Sequence, residues 1–369
     1  MKIGFLSHLD LNLYAFRLPV MLELKRLGHT PIAIAPEGQY LQKIREAGIE
    51  TAPYEIERKS LNPLKEIKAI QNIFWTIKPL GLDVLHTFTA KPNIYGTIAG
   101  RLAKVPRIIN LVEGLGSFYL EEDAKSRVVR SVIETLYKRV FRLSNAVMFV
   151  NDGDPAYLIE KNIIDKRKVV KINGVGIDTH EWKRSRPAKE PLTVIMIARL
   201  IRHKGVLEYL EACQNLKAKY PTVRFVYVGG EDSGNPSGLK KEIFEKFDGV
   251  EYLGERSNIK ELLEDSHIFV LPSYREGLPR TVLEAMSMEV AVVGADAVGT
   301  RDCIKDGVTG LLVGVKSAKA LESAIERVIT DESLRKKLAK AGRQACEKEY
   351  DIKPIIKEHL RVYGLKATK

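Results

Sequence analysis

"LTVIMIARLIRHKGVLEYLEACQNL", residues 192–216, runs from a short apolar segment through a loop carrying Arg and Lys into a helical pattern. "LTVIMIA" is apolar on both faces, as a strand is when helices cover each side of a parallel sheet. "GVLEYLEACQNL" repeats apolar residues at helical spacing. The same alternation recurs along the chain: "KIGFLS", "TPIAIA", "DVLHTF", "RIINLV" and "AVMFVN" before this stretch, "VRFVYVG", "HIFVLPS" and "VAVVGA" after it. The pattern predicts an α/β protein built of two doubly wound, Rossmann-like units. A chain of 369 residues exceeds the size at which one core usually stops growing. The break falls in "NGVGIDTHEWKRSRPAKEPL", residues 173–192, rich in Gly, Pro and charge, with the boundary expected between Gly176 and Pro191. The expected divisions are 1–176, 177–350 and a closing helical stretch, 351–369.

Composition narrows the class. The apolar fraction of 45% and charged fraction of 29% are those of an ordinary globular protein. Cys213, Cys303 and Cys346 are too scattered for a disulfide framework or a metal knuckle, which points to a reducing interior and no metal site. "MKIGFLSHLD" is too short in its apolar run for a signal peptide, and no run approaches the roughly 20 residues needed to span a bilayer. The net charge is +12; residues 1–190 hold 30 Lys and Arg against 21 Asp and Glu, the rest 29 against 26. The basic half is expected to meet something anionic.

In open α/β sheets ligands bind beyond the carboxyl ends of the strands, which selects residues 7–14, 113–119, 198–205, 229–234 and 272–279, expected to gather at one cleft. Arg199 follows a strand directly and Lys204 stands where the next helix begins. A guanidinium fork and an ammonium beside a helix N-terminus suit a diphosphate. In "REGLPRTVLEAMSM", residues 275–288, Glu276 lies on a loop, Pro279 suits a first helical position and Glu284 falls a turn and a half inside. A carboxylate accepts from two hydroxyls at once, so Glu284 could hold a ribose and Glu276 a second sugar, while Gly277, Leu278 and Pro279 open the helix towards the phosphates between them. Glu276 as a dipole-complementing charge and Glu284 as a solvated helix residue remain open readings.

"ARLIRHKG", "VYVGG", "YLGERSNIKELLEDSHIFVLPSYREGLPRTVLEAM" and "KDGVTGLLV" resemble the C-terminal domain of GT4-family retaining glycosyltransferases. The resemblance implies the GT-B fold, two Rossmann-like domains facing across a cleft, with a last helix, here "YDIKPIIKEHLRVYGL", crossing back to the first domain. It implies that Arg199 and Lys204 bind the diphosphate and stabilise the leaving group, that Glu276 contacts the donor sugar and that Glu284 contacts the ribose. "IGFLSH", "SLNP", "LVEGLGSFY" and "GVGI" resemble a branch that transfers N-acetylgalactosamine, α1,3-linked, to undecaprenyl-diphosphate-linked sugars in bacterial protein N-glycosylation. The substrates implied are a UDP-N-acetylhexosamine, UDP-N-acetylgalactosamine in that branch, and a polyprenyl-diphosphate-linked saccharide. No cofactor or catalytic metal is expected, because two fixed cations and helix N–H groups already meet the departing diphosphate.

Departures from the family pattern mark the first half. The usual glycine pair after the first strand is replaced by "HLDLNLY", which makes His8 and Asn12 candidate cleft residues. Glu113, followed by Gly114 and Gly116, stands near the family's histidine, either as a catalytic group or as a loop-ordering acceptor. Glu289 replaces a common glycine.

Three further features call for separate readings. "NDGD" at Asn151–Asp154 contains an Asp-x-Asp, but Asp154 capping a helix that opens with Pro155 is the simpler account. His86, after "DVL", is expected to be an oriented loop residue. In "AKSRVVRSVIETLYKRVFRLS" Val129, Val132, Ile133, Leu136, Val140 and Leu143 share one face and Arg127, Arg130, Lys138 and Arg142 the other, so the basic side is expected either to be solvated or to meet an anionic membrane surface. The chain is expected to sit peripherally on the cytoplasmic face of the inner membrane. A nucleic-acid partner is not expected, for want of basic residues interleaved with aromatics. A dinucleotide enzyme is not expected either, since "GLGSFY" and "GVGIDT" lack the third glycine of the fingerprint.

Overall fold

The computed structural model describes residues 1–57 and 62–365, so Ser60 and Leu61 of "SLNP" and the final residues 366–369 lie outside the description. The chain divides into two units, residues 1–175 with 353–369, and residues 176–352.

Unit 1 alternates strand and helix: β1 (Lys2–Leu6), α1 (Asp10–Arg26), β2 (Thr30–Ala35), α2 (Gln39–Glu46), β3 (Glu50–Pro53), α3 (Pro63–Ile77), β4 (Val84–Phe88), α4 (Ala90–Leu102), β5 (Arg107–Val112), α5 (Ala124–Leu143), β6 (Ala146–Phe149), α6 (Gly153–Glu160) and β7 (Val169–Lys171). All its strands are parallel, in the order β3-β2-β1-β4-β5-β6-β7. The period-two alternation of each strand sends side chains to two different layers. Leu6, Ile32, Ile34, Leu85 and Ile108 pack beneath α3 and α4, against Ile73, Ile77 and Ala99. Their neighbours Phe5, His86 and Phe88 face the opposite layer, where Arg17 of α1 and His359 and Tyr363 of the last helix lie.

Unit 2 follows the same grammar: β8 (Thr193–Ile197), α7 (Val206–Lys219), β9 (Arg224–Val228), β10 (Val250–Tyr252), α8 (Ile259–Glu264), β11 (Ile268–Leu271), α9 (Arg280–Ser287), β12 (Ala291–Ala295), α10 (Thr300–Cys303), β13 (Leu311–Val313), α11 (Ala318–Thr330) and α12 (Glu332–Ala345). Its parallel order is β10-β9-β8-β11-β12-β13. The run that opens the sequence reading behaves as its composition requires. Val194 and Met196 of β8 pack with α7, α11 and α12, whereas Ile195 and Ile197 pack with α9. Each such fully buried side chain contributes roughly 1.5–3 kcal/mol. The last helix, α13 (Ile352–Tyr363), leaves unit 2 at Ile352 and belongs to unit 1 from Lys353 onward.

Candidate active site

Each sheet has one point where the chain reverses its direction of growth, between β1 and β4 in unit 1 and between β8 and β11 in unit 2. Ligand crevices in such folds form at that point. Of the sequence-selected loops, 7–14 follows β1, 198–205 follows β8 and 272–279 follows β11, all at these points, whereas 113–119 follows β5 and 229–234 follows β9.

In unit 2, Lys204 ends a short turn after β8 and Glu276 lies on the loop after β11. Their side chains form an ion pair at 2.5 Å, both largely shielded from solvent. The two loops are drawn together by the backbone. Tyr274 donates its N–H to the His203 carbonyl, and Gly205 has φ +75° with its absent Cβ only 2.3 Å from the Pro272 carbonyl, so any side chain there would drive the loops apart. Glu276 is held from its other side by an N–H to the Val298 carbonyl. Arg199 reaches towards the loop after β9 and pairs with Asp232 at 2.6 Å while keeping 63% of its side chain exposed.

The helix α9 begins at Arg280, so Pro279 is its cap and not its first helical residue, a shift of one position. Gly277 and Leu278 form the half-buried approach, and Pro279 is buried. Glu284 is not a solvated helix residue: it is 8% exposed, and Arg280 one turn earlier meets it at 2.9 Å. Burial pushes its carboxyl up to about 7, against the pull of Arg280. Glu289, in place of the common glycine, follows the end of α9 with φ +54°, the left-handed position where glycine is favoured.

In unit 1, His8 follows β1 and Thr89 follows β4, and His8 Nδ1 meets Thr89 Oγ1 at 2.6 Å across the switch point. Thr89 holds φ +72°, costly for a β-branched residue and typical of backbone constrained at a ligand site. Glu113 follows β5, pointing opposite to Val112 and therefore towards α1. Asn12 of α1 donates to both its carboxylate oxygens, at 3.2 and 3.1 Å, and Arg17 donates to Oε1. Arg17 is wholly buried, with its guanidinium 4.6 Å from the Phe88 ring centroid. Burial lowers its pKa from the usual range, while Glu113 opposes that shift. Gly114 and Gly116 carry the chain from Glu113 into the turn Ser117–Tyr119.

Several expectations need correction. Asp154 does not cap α6. It lies in the first turn, where Asn151 Oδ1 accepts its N–H and Asn151 Nδ2 donates to its carboxylate, so the asparagine is the capping side chain. Asp152 instead pairs with Lys171, and the two carboxylates of the Asp-x-Asp engage different partners. No group of three or more His, Cys, Asp or Glu able to hold a metal occurs among the described residues. His86 is no loop residue: it lies in β4, fully buried, with Nδ1 2.7 Å from Tyr363 Oη and His359 beside it.

The buried stripe of α5 keeps Ile133, Leu136 and Val140 of the expected face and is turned from it towards Tyr137 and Phe141. Tyr137, Val140 and Phe141 are buried, whereas Val132 and Leu143 are exposed by 54% and 44%. The two aromatic rings have the most surface to hide, and they set the helix's orientation. Arg130 is drawn inward with them, donating to the Phe118 and Glu121 carbonyls above the Tyr119 ring; Arg127, Lys138 and Arg142 remain exposed.

Unit 2 thus carries a Lys–Glu pair at the carboxyl edge of its sheet, and unit 1 a carboxylate held on a buried arginine. The sequence model of glycosyl transferases group 1 matches residues 178–345, and that of the glycosyl transferase 4-like family residues 2–151. The N,N'-diacetylbacillosaminyl-diphospho-undecaprenol alpha-1,3-N-acetylgalactosaminyltransferase of Campylobacter jejuni is 38% identical over 98% of both chains. An Escherichia coli UDP-Gal:alpha-D-GlcNAc-diphosphoundecaprenol alpha-1,3-galactosyltransferase is 25% identical over 75% of this chain and 74% of its own. Among solved structures, Anabaena HepE in complex with UDP and glucose superposes with a TM-score of 0.78 at 17% identity, covering 99% of both chains, a likeness of fold. The chain belongs to the group 1, GT4-type glycosyltransferases with the GT-B fold.

Proposed function

We propose that this glycosyltransferase moves N-acetylgalactosamine, with retention, from UDP-N-acetylgalactosamine to undecaprenyl-diphosphate-linked N,N'-diacetylbacillosamine in bacterial protein N-glycosylation. The observation that carries this reading is the 38% identity, end to end, to the Campylobacter jejuni enzyme of that name.

Breaking the sugar–phosphate bond develops positive charge at the anomeric carbon and negative charge on the departing diphosphate. Lys204 and Arg199 stabilise the latter electrostatically, the kind of contribution that is usually largest in such sites. Glu276, already fixed on Lys204, accepts from hydroxyls of the donor sugar, and Glu284 from those of the ribose. Arg199 must leave Asp232 to reach the diphosphate, which its exposure permits. Glu113 is the catalytic group of unit 1, oriented by Arg17 and Asn12, with His8, Gly114 and Gly116 shaping the acceptor side. The enzyme works peripherally at the cytoplasmic face of the inner membrane, where a polyprenyl carrier is anchored. No helix among the described residues is long and apolar enough to cross a membrane.

The test is product analysis with a panel of UDP-sugars, a short-chain polyprenyl-diphosphate-linked acceptor and excess chelator. Transfer from UDP-N-acetylgalactosamine in chelator, giving an α1,3 product, is expected. Preference for another UDP-hexosamine would assign the chain to a different glycan assembly, and strict dependence on a divalent ion would remove Lys204 and Arg199 from their proposed role.

A further inference from the structure

Unit 1 exposes ten large hydrophobic side chains among the described residues, and seven of them lie on α3, α4 and α5, which pack side by side over one face of the sheet. The most exposed is Leu64 of α3, at 77%, followed by Trp75 of the same helix at 66%, with Ile67 between them at 53%. Leu64, Ile67, Gln71 and Trp75 follow one another at three- and four-residue steps, a single outward stripe roughly 17 Å long at 1.5 Å per residue. The inward face of the helix is satisfied separately by Ile73 and Ile77 in the core. Thus α3 is apolar on two sides, and only one of them is used by the fold.

Cations frame the outward stripe. Lys65, Lys68 and Lys78 are exposed; Lys65 pairs with Glu57 at 2.9 Å, Lys78 Nζ lies 5.2 Å from the Trp75 ring centroid, and Lys68 is in no ion pair among the described residues. An amphipathic helix with Trp, Leu and Ile outward and lysines alongside suits the boundary between headgroups and acyl chains. There the apolar side chains enter and the ammonium groups meet anionic phosphates. The N-terminal end of α3 lies at the carboxyl edge of the strands, the same edge that carries His8 and Glu113.

We propose that unit 1 docks on an anionic lipid bilayer through the outward stripe of α3, with Leu64, Ile67 and Trp75 inserted and Lys68 and Lys78 on the phosphates. The proposal rests on the lipid-linked acceptor assigned above and names the element that delivers the protein to it. It moves the principal membrane contact away from α5, whose Arg130 is committed to backbone carbonyls.

The chain has two tryptophans, Trp75 and Trp182, which makes the test direct. The full-length protein is titrated with phosphatidylcholine vesicles containing 30% phosphatidylglycerol and brominated acyl chains, beside pure phosphatidylcholine. Quenching on the anionic vesicles that disappears in Trp75→Phe is expected. A Leu64→Ser/Ile67→Ser/Lys68→Glu variant with an unchanged melting temperature is expected to lose at least tenfold in vesicle affinity. That variant should keep normal turnover on a short-chain, water-soluble acceptor and lose it on an acceptor embedded in vesicles. Absence of vesicle binding, binding without Trp75 quenching, or loss of binding confined to Arg127→Glu/Lys138→Glu/Arg142→Glu would overturn the proposal; so would capture of a protein partner by the stripe with no vesicle binding. If the wild type turned over neither acceptor, the functional reading would fail while the vesicle measurements still decided the docking.

Discussion

Arg17, wholly buried in α1, holds the Glu113 carboxylate that follows β5, and no other acidic side chain ion-pairs with Arg17 among the described residues. Removing one member of a buried pair leaves an uncompensated charge and typically costs about 3–5 kcal/mol. Glu113→Gln strands the wholly buried Arg17 cation and is therefore expected to lower the melting temperature sharply, whereas Arg17→Met leaves a partly exposed carboxylate still held by Asn12 and costs less. With Glu113 in its proposed role, Glu113→Gln lowers kcat by about 100-fold with the donor KM little changed, in the range of general acid–base contributions. Steady-state kinetics on a folded variant check this, and unaltered turnover would reduce Glu113 to a loop-ordering acceptor.

Lys204 and Arg199 differ in how firmly they are held, and their variants should differ accordingly. Lys204→Ala is expected to lower kcat by roughly 100- to 1,000-fold, the usual cost of losing one charge-stabilising donor. Asp232→Asn should act the other way. It frees Arg199 from a largely exposed pair, worth roughly 0.2–1 kcal/mol, so UDP should bind up to about fivefold more tightly. Steady-state kinetics read the first and calorimetric titration with UDP the second, and weaker binding by Asp232→Asn would mean that Asp232 positions Arg199 for the ligand.

Glu284 carries a carboxyl raised to about 7, principally by burial. A folded-state pKa above the ordinary value means that stability is fully present below pH 4.5 and is lost as pH rises through about 7. The loss is on the order of 1–3 kcal/mol. Glu284→Gln should therefore gain melting temperature relative to wild type at pH 8 but not at pH 4.5. The ionised form is the better acceptor for ribose hydroxyls, so UDP affinity should rise with pH through about 7 in the wild type and stay flat in the variant.

His86 and His359 are buried beside each other, and burial lowers both pKa values, that of His359 to about 4. Depressed values give stability that is present above pH 6.5 and lost as pH falls towards 4, about 2 kcal/mol for His359 alone between pH 6.5 and 5. Thermal melts from pH 7.5 to 4.5 should show this decline, and His359→Leu should flatten it. An equal decline in the variant would place the acid sensitivity elsewhere.

The two parallel-sheet units and the loops that carry Lys204, Glu276, His8 and Glu113 were legible because parallel strands declare themselves as short apolar runs and the ligand edge follows from chain direction. What the sequence hid was partnership. Asp232 is 33 residues from Arg199, and Tyr363 is 277 from His86; no local spacing relates them. Arg17 left one faint mark, a lone cation within the apolar "YAFRLPV". The face of α5 was read only in part, because aliphatic spacing found Ile133, Leu136 and Val140 but not Tyr137 and Phe141, which have more surface to bury and turn the helix. Asn151 was passed over as a cap because the aspartate beside proline is the commoner signal.

The return of α13 to unit 1 has a temporal consequence. Residues 176–352 are contiguous, so unit 2 can close as soon as they leave the ribosome, whereas the layer holding Phe5, His86 and Arg17 stays uncovered until His359 and Tyr363 emerge. The half made first is finished last, and a nascent chain stalled before Lys353 would present that open layer to chaperones.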